Sequence, residues 1–162
     1  MRKILLMAAV ALLLTGCGAE ETLETVADEA VQAVSAQPRE IQVDLPEEAA
    51  LPAMESDSGV LYMCKDYDVS ILTLDGGDLQ KTIQTVSGYS ADDLTVMQTA
   101  DGEFTRSEFV WTAAGEFGDQ VGRAAIVDDG SYHYVLAATI DADNAQQYRE
   151  IWNGMFESFT VS

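Results

Sequence analysis

The sequence contains one histidine, His133, and this scarcity removes several classes of catalytic site. A Ser-His-Asp or Cys-His site would have to use that residue, yet it lies in an apolar stretch and no Gly-x-Ser-x-Gly elbow occurs elsewhere. The chain also lacks a His-Glu-x-x-His motif, a Cys-x-x-Cys pair and a glycine-rich phosphate loop. We therefore expect a structural or surface histidine, and no catalytic residue, metal site or cofactor.

Basic residues are also few, since eight Lys and Arg stand against 28 Asp and Glu and give a formal net charge of −20. A field of this sign repels phosphate backbones, which argues against nucleic acid as a partner. It also disfavours docking of the domain onto anionic lipid. We interpret the acidic residues as a solvated surface. The same charge attracts cations or basic partners, and a saline habitat produces the same composition.

Long hydrophobic runs are missing as well. The longest run covers residues 4–14, whereas a membrane-spanning helix needs about 20 apolar residues. It follows a cationic start and ends in Leu14-Thr15-Gly16-Cys17. A cationic start, a short apolar segment and small residues before a cleavage point are typical of a secretory signal.

The cysteine that directly follows these small residues resembles the lipobox of a bacterial lipoprotein signal. Leu14 stands at the branched apolar position of that motif, Thr15 at a small or hydroxyl position, and Gly16 before the cut. The resemblance implies cleavage before Cys17 and acyl chains on its sulfur. Two or more chains hold a protein firmly on a membrane, because each buried methylene contributes about 0.8 kcal/mol. The alternative is an ordinary signal peptide with a chance cysteine.

Three parts of the chain follow from this interpretation: a signal peptide, 1–16, the lipidated cysteine with an acidic tether, 17–40, and one globular domain, 41–162. Lipid on Cys17 leaves Cys64 without a partner for a disulfide inside the domain. Cys64 lies in an apolar run, so we expect a buried small side chain rather than a reactive thiol.

Alternating apolar residues predict seven strands, at residues 41–45, 59–66, 67–74, 94–99, 104–112, 121–127 and 132–140. Asp101-Gly102 and the Asp-Asp-Gly-Ser run at 128–131 predict hairpin turns. An Ala/Gly-rich turn is expected at 114–119. In the last strand, alternate residues are expected to face opposite sides of the sheet.

Two helices complete the predicted domain. Asp78 and Gly88 are expected to bound the first helix, and residues 141–144 to cap the second. The apolar stripe of the second helix comprises Tyr148, Ile151, Trp152, Met155, Phe156 and Phe159. This order of elements predicts an α+β fold, in which helices cover a curved antiparallel sheet of about six to seven strands.

Several segments resemble the PsbP-like superfamily. They are the strand Gly122-Arg123-Ala124, the turn Asp129-Gly130, the aromatic strand at 132–136 and the closing Ser158-Phe159-Thr160-Val161. That superfamily includes extrinsic proteins of photosystem II, a nuclear-import factor that binds a small GTPase, and many bacterial lipoproteins. The resemblance implies an α/β/α-like sandwich with a binding function. No ligand-binding residue is carried over, because no position matches one.

Paired carboxylates occur at Asp92/Asp93, Asp128/Asp129 and Asp141/Asp143. Each pair falls at a predicted turn or cap, where Asp bonds nearby backbone amides. Two alternatives stay open. Residues 141–144 could begin a weak calcium loop, although the glycine and distal glutamate of such a loop are absent. A pair of carboxylates could also catalyse hydrolysis.

Aromatic residues supply the remaining candidate site. Tyr62, Tyr67 and Tyr89 lie near predicted turns, so we expect them to be exposed and available for binding. Tyr148 and Trp152 are expected in the core. The sequence thus predicts a lipid-anchored extracytoplasmic protein of the cell envelope, non-enzymatic, which binds a protein partner. A carboxylate-based hydrolase and a weak calcium-binding protein are the alternatives.

The lipobox generates the first testable prediction. Cys17→Ser removes the sulfur that would carry the acyl chains, so the protein should move from the membrane to the soluble fraction. Fractionation of cells that express the full chain measures this. An unchanged membrane-bound fraction would contradict the lipid anchor.

Overall fold

The computed structural model describes residues 37–115 and 118–162. The predicted signal peptide, its lipobox from Leu14 to Cys17 and most of the predicted tether lie outside the described residues. Within those residues, no helix has the length and apolar character that crossing a membrane requires.

Seven antiparallel strands form the central sheet, in the order β2-β3-β4-β8-β7-β6-β5. Two further short strands, β1 and β9, pair with each other outside it. The strand bounds are β1 Ile41–Gln42, β2 Met54–Ser56, β3 Gly59–Met63, β4 Tyr67–Asp75, β5 Met97–Asp101, β6 Phe104–Gly115, β7 Gly118–Asp128, β8 Tyr132–Asp141 and β9 Thr160–Val161. The α+β class predicted from the sequence is confirmed.

Two α-helices accompany the sheet, α1 at Leu79–Ser87 and α2 at Ala145–Ser158. The carboxylate of Asp78 accepts hydrogen bonds from the first-turn amides of α1, and Gly88 ends that helix in the left-handed conformation with φ of +80°. Both ends were predicted.

The start of α2 differs from the prediction. Residues 142–144 form a 3-10 turn, and neither Asp141 nor Asn144 makes a side-chain cap hydrogen bond. For Asn144 the reason is backbone conformation, because this residue already has helical φ and ψ of −96° and −14°. A capping side chain needs the extended conformation that precedes a helix.

The sheet is apolar on both faces, and each face packs against one helix. On β8, Tyr134, Leu136, Ala138 and Ile140 lie in the cluster that contains α2. The alternate residues Val135 and Ala137 lie in the cluster that contains Ile83 of α1. The predicted alternation of β8 is confirmed, and the fold is an α/β/α sandwich.

The apolar stripe of α2 is confirmed with one exception. Tyr148, Trp152, Met155 and Phe156 are buried on the sheet, and Phe159 is buried just beyond the helix end. Ile151, however, is 41% exposed. It precedes Trp152 by one residue and is therefore turned by about 100° around the helix, away from the sheet.

Some strand boundaries differ from the predicted ones. The first strand covers only 41–42 and pairs with β9, while the three-residue edge strand β2 was not predicted. Strand β5 begins at Met97 rather than Leu94, because Leu94 and Val96 pack into the α1 cluster before the strand starts. The turn expected at 114–119 is shorter, since pairing of β6 with β7 continues to Gly115 and Gly118.

Gly122 generates a prediction about packing. It lies directly opposite Trp111 in the β6–β7 ladder, and a Cβ at this position would overlap the indole ring. Gly122→Ala should therefore destabilise the fold by about 1–3 kcal/mol through overpacking. Chemical denaturation of the purified domain measures the change in the free energy of unfolding.

Gly154 supplies a matched control on α2. It is exposed, and a Cβ there would meet nothing within 4 Å. Gly154→Ala should leave stability unchanged or raise it by up to about 1 kcal/mol, because alanine is the better helix former. An equal loss in both variants would contradict the packing account.

Candidate functional site

A groove runs along α2 where the sheet extends beyond the helix. Its first half is a cavity of about 480 Å³ between the β5–β7 strands and α2, lined in part by Met97, Val110, Val121, Arg149 and Trp152. Its second half is a cavity of about 440 Å³ towards the end of α2. Both halves include Glu108 and Arg123, so we describe them together as the α2 groove.

An ion-pair ladder crosses the floor of the α2 groove. Nε of Arg106 donates to Oε1 of Glu108 at 2.7 Å, and Nη2 of Arg123 donates to Oε2 of the same carboxylate at 3.1 Å. Nη1 of Arg123 donates to Oδ1 of Asn153 on α2 at 3.0 Å. The carboxylate thus receives one guanidinium donor on each oxygen, and α2 is joined to the floor by a polar contact.

The two arginines also hold the end of α2 in place. Arg106 donates to the backbone carbonyls of Phe156 at 2.7 Å and Phe159 at 2.9 Å. Its guanidinium lies 5.4 Å from the ring centroid of Phe159, and that of Arg123 lies 4.3 Å from that of Phe156. Carbonyls at a helix C-terminus lack intrahelical partners and carry partial negative charge, so a cation is favourable there.

Glu108 stays ionised in this setting. Burial alone would raise the pKa of its carboxyl, but hydrogen bonds and charge from Arg106 and Arg123 outweigh burial and hold the pKa below its ordinary value of 4.5. A general acid needs the opposite shift, towards neutral pH. The carboxylate in the α2 groove is therefore suited to fixing arginines rather than to proton transfer.

Exposed apolar side chains border this polar floor. Val110 on β6 is 60% exposed and Met97 on β5 is 66% exposed. Arg149, an exposed residue of α2, lines the same half of the groove and has no ion pair among the described residues. The α2 groove thus combines apolar surface with cationic side chains in a chain whose formal net charge is −20.

The predicted aromatic site is not assembled. Tyr67 is only 3% exposed, and its ring centroid lies 4.9 Å from that of Tyr148, so the expectation of exposure is wrong for Tyr67. It is the first residue of β4 and points into the α2-side core rather than into the preceding turn. Tyr62 is half-buried against that core, whereas Tyr89 is half-buried on the α1 side. The three tyrosines do not share a surface.

The carboxylates at the β7–β8 turn serve the backbone, as predicted. Asp128 accepts from the amide of Gly130 at 2.7 Å, and Asp129 accepts from the amides of Ser131 and Tyr132 at 2.8 and 2.7 Å. The side chains at 92–93 and at positions 141 and 143 are exposed. In the part of the chain that the structure describes, no three His, Cys, Asp or Glu side chains come close enough to hold a metal ion.

His133 and Cys64 are enclosed by the fold. His133 is fully buried, and its Nδ1 lies 2.7 Å from Oγ1 of Thr82 on α1. Cys64 is half-buried beside the α2-side core, where burial raises the pKa of its thiol. A raised pKa lowers the fraction of reactive thiolate. The burial of His133 agrees with the structural function expected from the sequence, whereas Cys64 is less buried than expected.

Residues of the α2 groove itself were not predicted as a site. Phe109 and Trp111 lie in the α1-side cluster, which places Val110 on the other side of the sheet. Its exposure depends on how far α2 reaches across that face, and this is a tertiary property. One feature of the sequence could have indicated the groove. Arg106 and Arg123 lie on neighbouring strands of a chain that has few basic residues.

The fold defines an α+β sandwich with one groove beside its second helix. No protein-family model matches the sequence, and no curated protein matches it. Solved structures similar to this chain include LpqN, involved in cell envelope biogenesis of Mycobacterium tuberculosis, with 14% identity and a TM-score of 0.49 over 78% of this chain and 86% of that one.

Two further structures are similar at the same level. The Ran-binding protein Mog1p of Saccharomyces cerevisiae has 10% identity and a TM-score of 0.48 over 75% of this chain and 89% of its own. Cyanobacterial PsbP from Synechocystis has 10% identity and a TM-score of 0.48 over 92% and 99%. PsbP gives its name to the superfamily that the sequence resembles. Likeness of this degree concerns the fold alone.

The ladder on the floor generates a pH-dependent prediction. Glu108→Gln should destabilise the protein by about 1–3 kcal/mol at pH 7, because two partly buried guanidinium groups lose their charged acceptor. Since the folded-state pKa of Glu108 lies below its unfolded value, the stabilisation is present above about pH 4.5 and is lost as the pH falls through the folded pKa. Denaturation from pH 7 to pH 3 should show the two proteins converging.

Glu103→Gln is the matched control, since it also removes one negative charge. The Glu103 side chain is 64% exposed and pairs with Arg39 at 2.8 Å, and a surface pair of this kind contributes less than about 1 kcal/mol. A stability difference for Glu108→Gln that stays constant down to pH 3 would show that packing rather than charge is responsible.

Proposed function

We propose that this chain is an adaptor protein of the bacterial cell envelope, anchored by lipid on Cys17, which binds a partner protein at the α2 groove and catalyses no reaction. The observation that carries the proposal is the exposure of Val110 and Met97 in the α2 groove, in a chain whose formal net charge is −20.

Apolar side chains grouped at a groove with a polar rim are typical of interaction sites. Val110 and Met97 line the same half of the α2 groove. Burying a valine or methionine side chain fully contributes about 1.5–3 kcal/mol, so covering this pair supplies a useful part of a binding energy. The arginines nearby provide orientation, because guanidinium groups form directional hydrogen bonds.

The hydrolase alternative has less support from the described residues. Glu108, the carboxylate on the groove floor, has both oxygens bound by arginines. Asp128 and Asp129 are occupied by the amides of their own turn. A hydrolytic pair needs one carboxylic acid with a raised pKa facing a second carboxylate across a cleft. A binding function requires no such pair.

Photo-crosslinking from defined positions tests the proposal. A photoreactive amino acid at position 97 or 110 of the full lipidated chain, irradiated in its own membranes, should give an adduct of one reproducible mass. The same substitution at Met63 is the control, because Met63 and Met97 are both 66% exposed but Met63 lies outside the groove. Adducts of equal yield at 63 and 97, or none at 97 and 110, would contradict a partner in the α2 groove.

A further inference from the structure

Strand β6 is longer than the strand that covers its outer edge. Strand β5 begins at Met97, which pairs with Glu108, so β5 covers β6 only as far as Glu108. Strand β6 continues beyond this pair to Gly115. Residues 94–96, which precede β5, make no backbone hydrogen bond to β6. From Val110 onwards, the described part of the chain therefore places no strand against the outer edge of β6.

The hairpin turns determine which backbone groups face that open edge. Asp101 pairs with Phe104 across a two-residue turn, and Gly115 pairs with Gly118 at the other end of β6. A pair that closes such a turn exchanges hydrogen bonds, and these bonds then recur at every second residue. Even-numbered residues of β6 consequently point their amide and carbonyl towards β5, and odd-numbered ones towards β7.

Three alternate residues of β6, Val110, Thr112 and Ala114, thus point their backbone groups outwards, where no described strand pairs with them. The hydroxyl of Tyr89 confirms this direction, because it donates to the carbonyl of Thr112 at 2.8 Å. The three residues have six outward amide and carbonyl groups, and this bond from Tyr89 occupies one of them in place of a neighbouring strand. All three outward residues are exposed.

Space is available beside this edge. A cavity of about 560 Å³ lies along it, lined in part by Tyr89, Leu94, Val110 and Trp111. Exposed sheet edges are ordinarily protected by proline, lysine or a bulge. Residues 110–114 read Val-Trp-Thr-Ala-Ala, contain none of these residues and pair with β7 without interruption.

Acidic side chains surround the open edge. Asp93 lines the cavity, and Asp119 is exposed and lies opposite Ala114 in the β6–β7 ladder. Arg149 is a basic residue of the adjoining α2 groove, but the chain as a whole carries a formal net charge of −20. A segment that approaches this edge is favoured by positive charge.

We propose that the outer edge of β6 binds an extended, basic segment of a partner protein by strand addition, pairing with the outward backbone groups of Val110, Thr112 and Ala114. Only another extended backbone offers alternating donors and acceptors at the spacing that these residues require. Alternate side chains of the segment cover Val110 on the α2 side and Trp111 on the α1 side. This inference rests on the proposed function and identifies how the partner is held.

A second copy of this chain is a poorer occupant for the same edge. Antiparallel pairing of two β6 edges brings the Asp93 and Asp119 carboxylates of one copy towards those of the other. Like charges placed together across an interface are repulsive. A basic segment gains from the same carboxylates.

The probe that tests strand addition is a capped nine-residue peptide of alternating valine and lysine. Titrated into the isotopically labelled domain, it should slow amide hydrogen exchange at Val110, Thr112 and Ala114. The same peptide with N-methyl groups on alternate residues keeps its side chains and charge but loses the donors that face β6, so it should not bind. The version with glutamate in place of lysine should bind at least tenfold more weakly at low salt.

Thr112→Pro is the decisive variant. It removes one outward amide without breaking the ladder to β7, and proline is tolerated at such edge positions. The affinity for the valine–lysine peptide should fall about tenfold or more. Ala100→Pro is the control, because Ala100 is exposed and its amide also faces outwards, but on β5. Thermal melts check that both variants remain folded.

Each remaining outcome bears on the inference. No peptide binding, binding that survives N-methylation, or equal losses in Thr112→Pro and Ala100→Pro would overturn strand addition at β6. A concentration-dependent dimer in sedimentation that Thr112→Pro abolishes would assign the edge to a second copy instead. If crosslinks form at 97 and 110 while the peptide fails, the adaptor function stands and strand addition falls.

Discussion

Two helices have to cover the two faces of a seven-stranded sheet, and their size limits what they can cover. With neighbouring strands about 4.8 Å apart, the sheet is roughly 29 Å wide, whereas a helix with its side chains is about 10–12 Å across. Helix α2 packs on β4, β8 and β7. The end of the sheet formed by β5 and β6 therefore stays uncovered on that side, which produces the α2 groove. The open edge of β6 has a different origin, because β5 pairs with β6 only as far as Glu108.

The ladder formed by Arg106, Glu108 and Arg123 stabilises the border between the covered and the uncovered sheet. Arg106 donates to the carbonyls of Phe156 and Phe159, and the two guanidinium groups lie over the rings of these residues. The carboxylate of Glu108 offsets one of the two positive charges. These contacts place charged groups on the groove floor instead of apolar ones. Under the proposed function, a partner meets apolar surface at Val110 and Met97 and oriented donors beside it.

Local signals made much of the fold predictable. Asp78 and Gly88 bound α1 because caps act within one turn, and the two faces of β8 were predictable because successive side chains of a strand point to opposite faces. Tyr67 and the start of β5 were not predictable in this way. Their positions depend on contacts with α2 and α1 that are distant in sequence, and the exposure of Val110 depends on the reach of α2. The candidate site is therefore largely a tertiary feature.

Strand β6 has one paired edge and, beyond Glu108, one open edge. Amide hydrogen exchange of the free domain, followed residue by residue by NMR, tests this arrangement most directly. We expect fast exchange at Val110, Thr112 and Ala114 and slow exchange at Phe109, Trp111 and Ala113, because only the latter three donate to β7. Uniform protection from 109 to 114 would contradict it, since the outer edge would then already be paired.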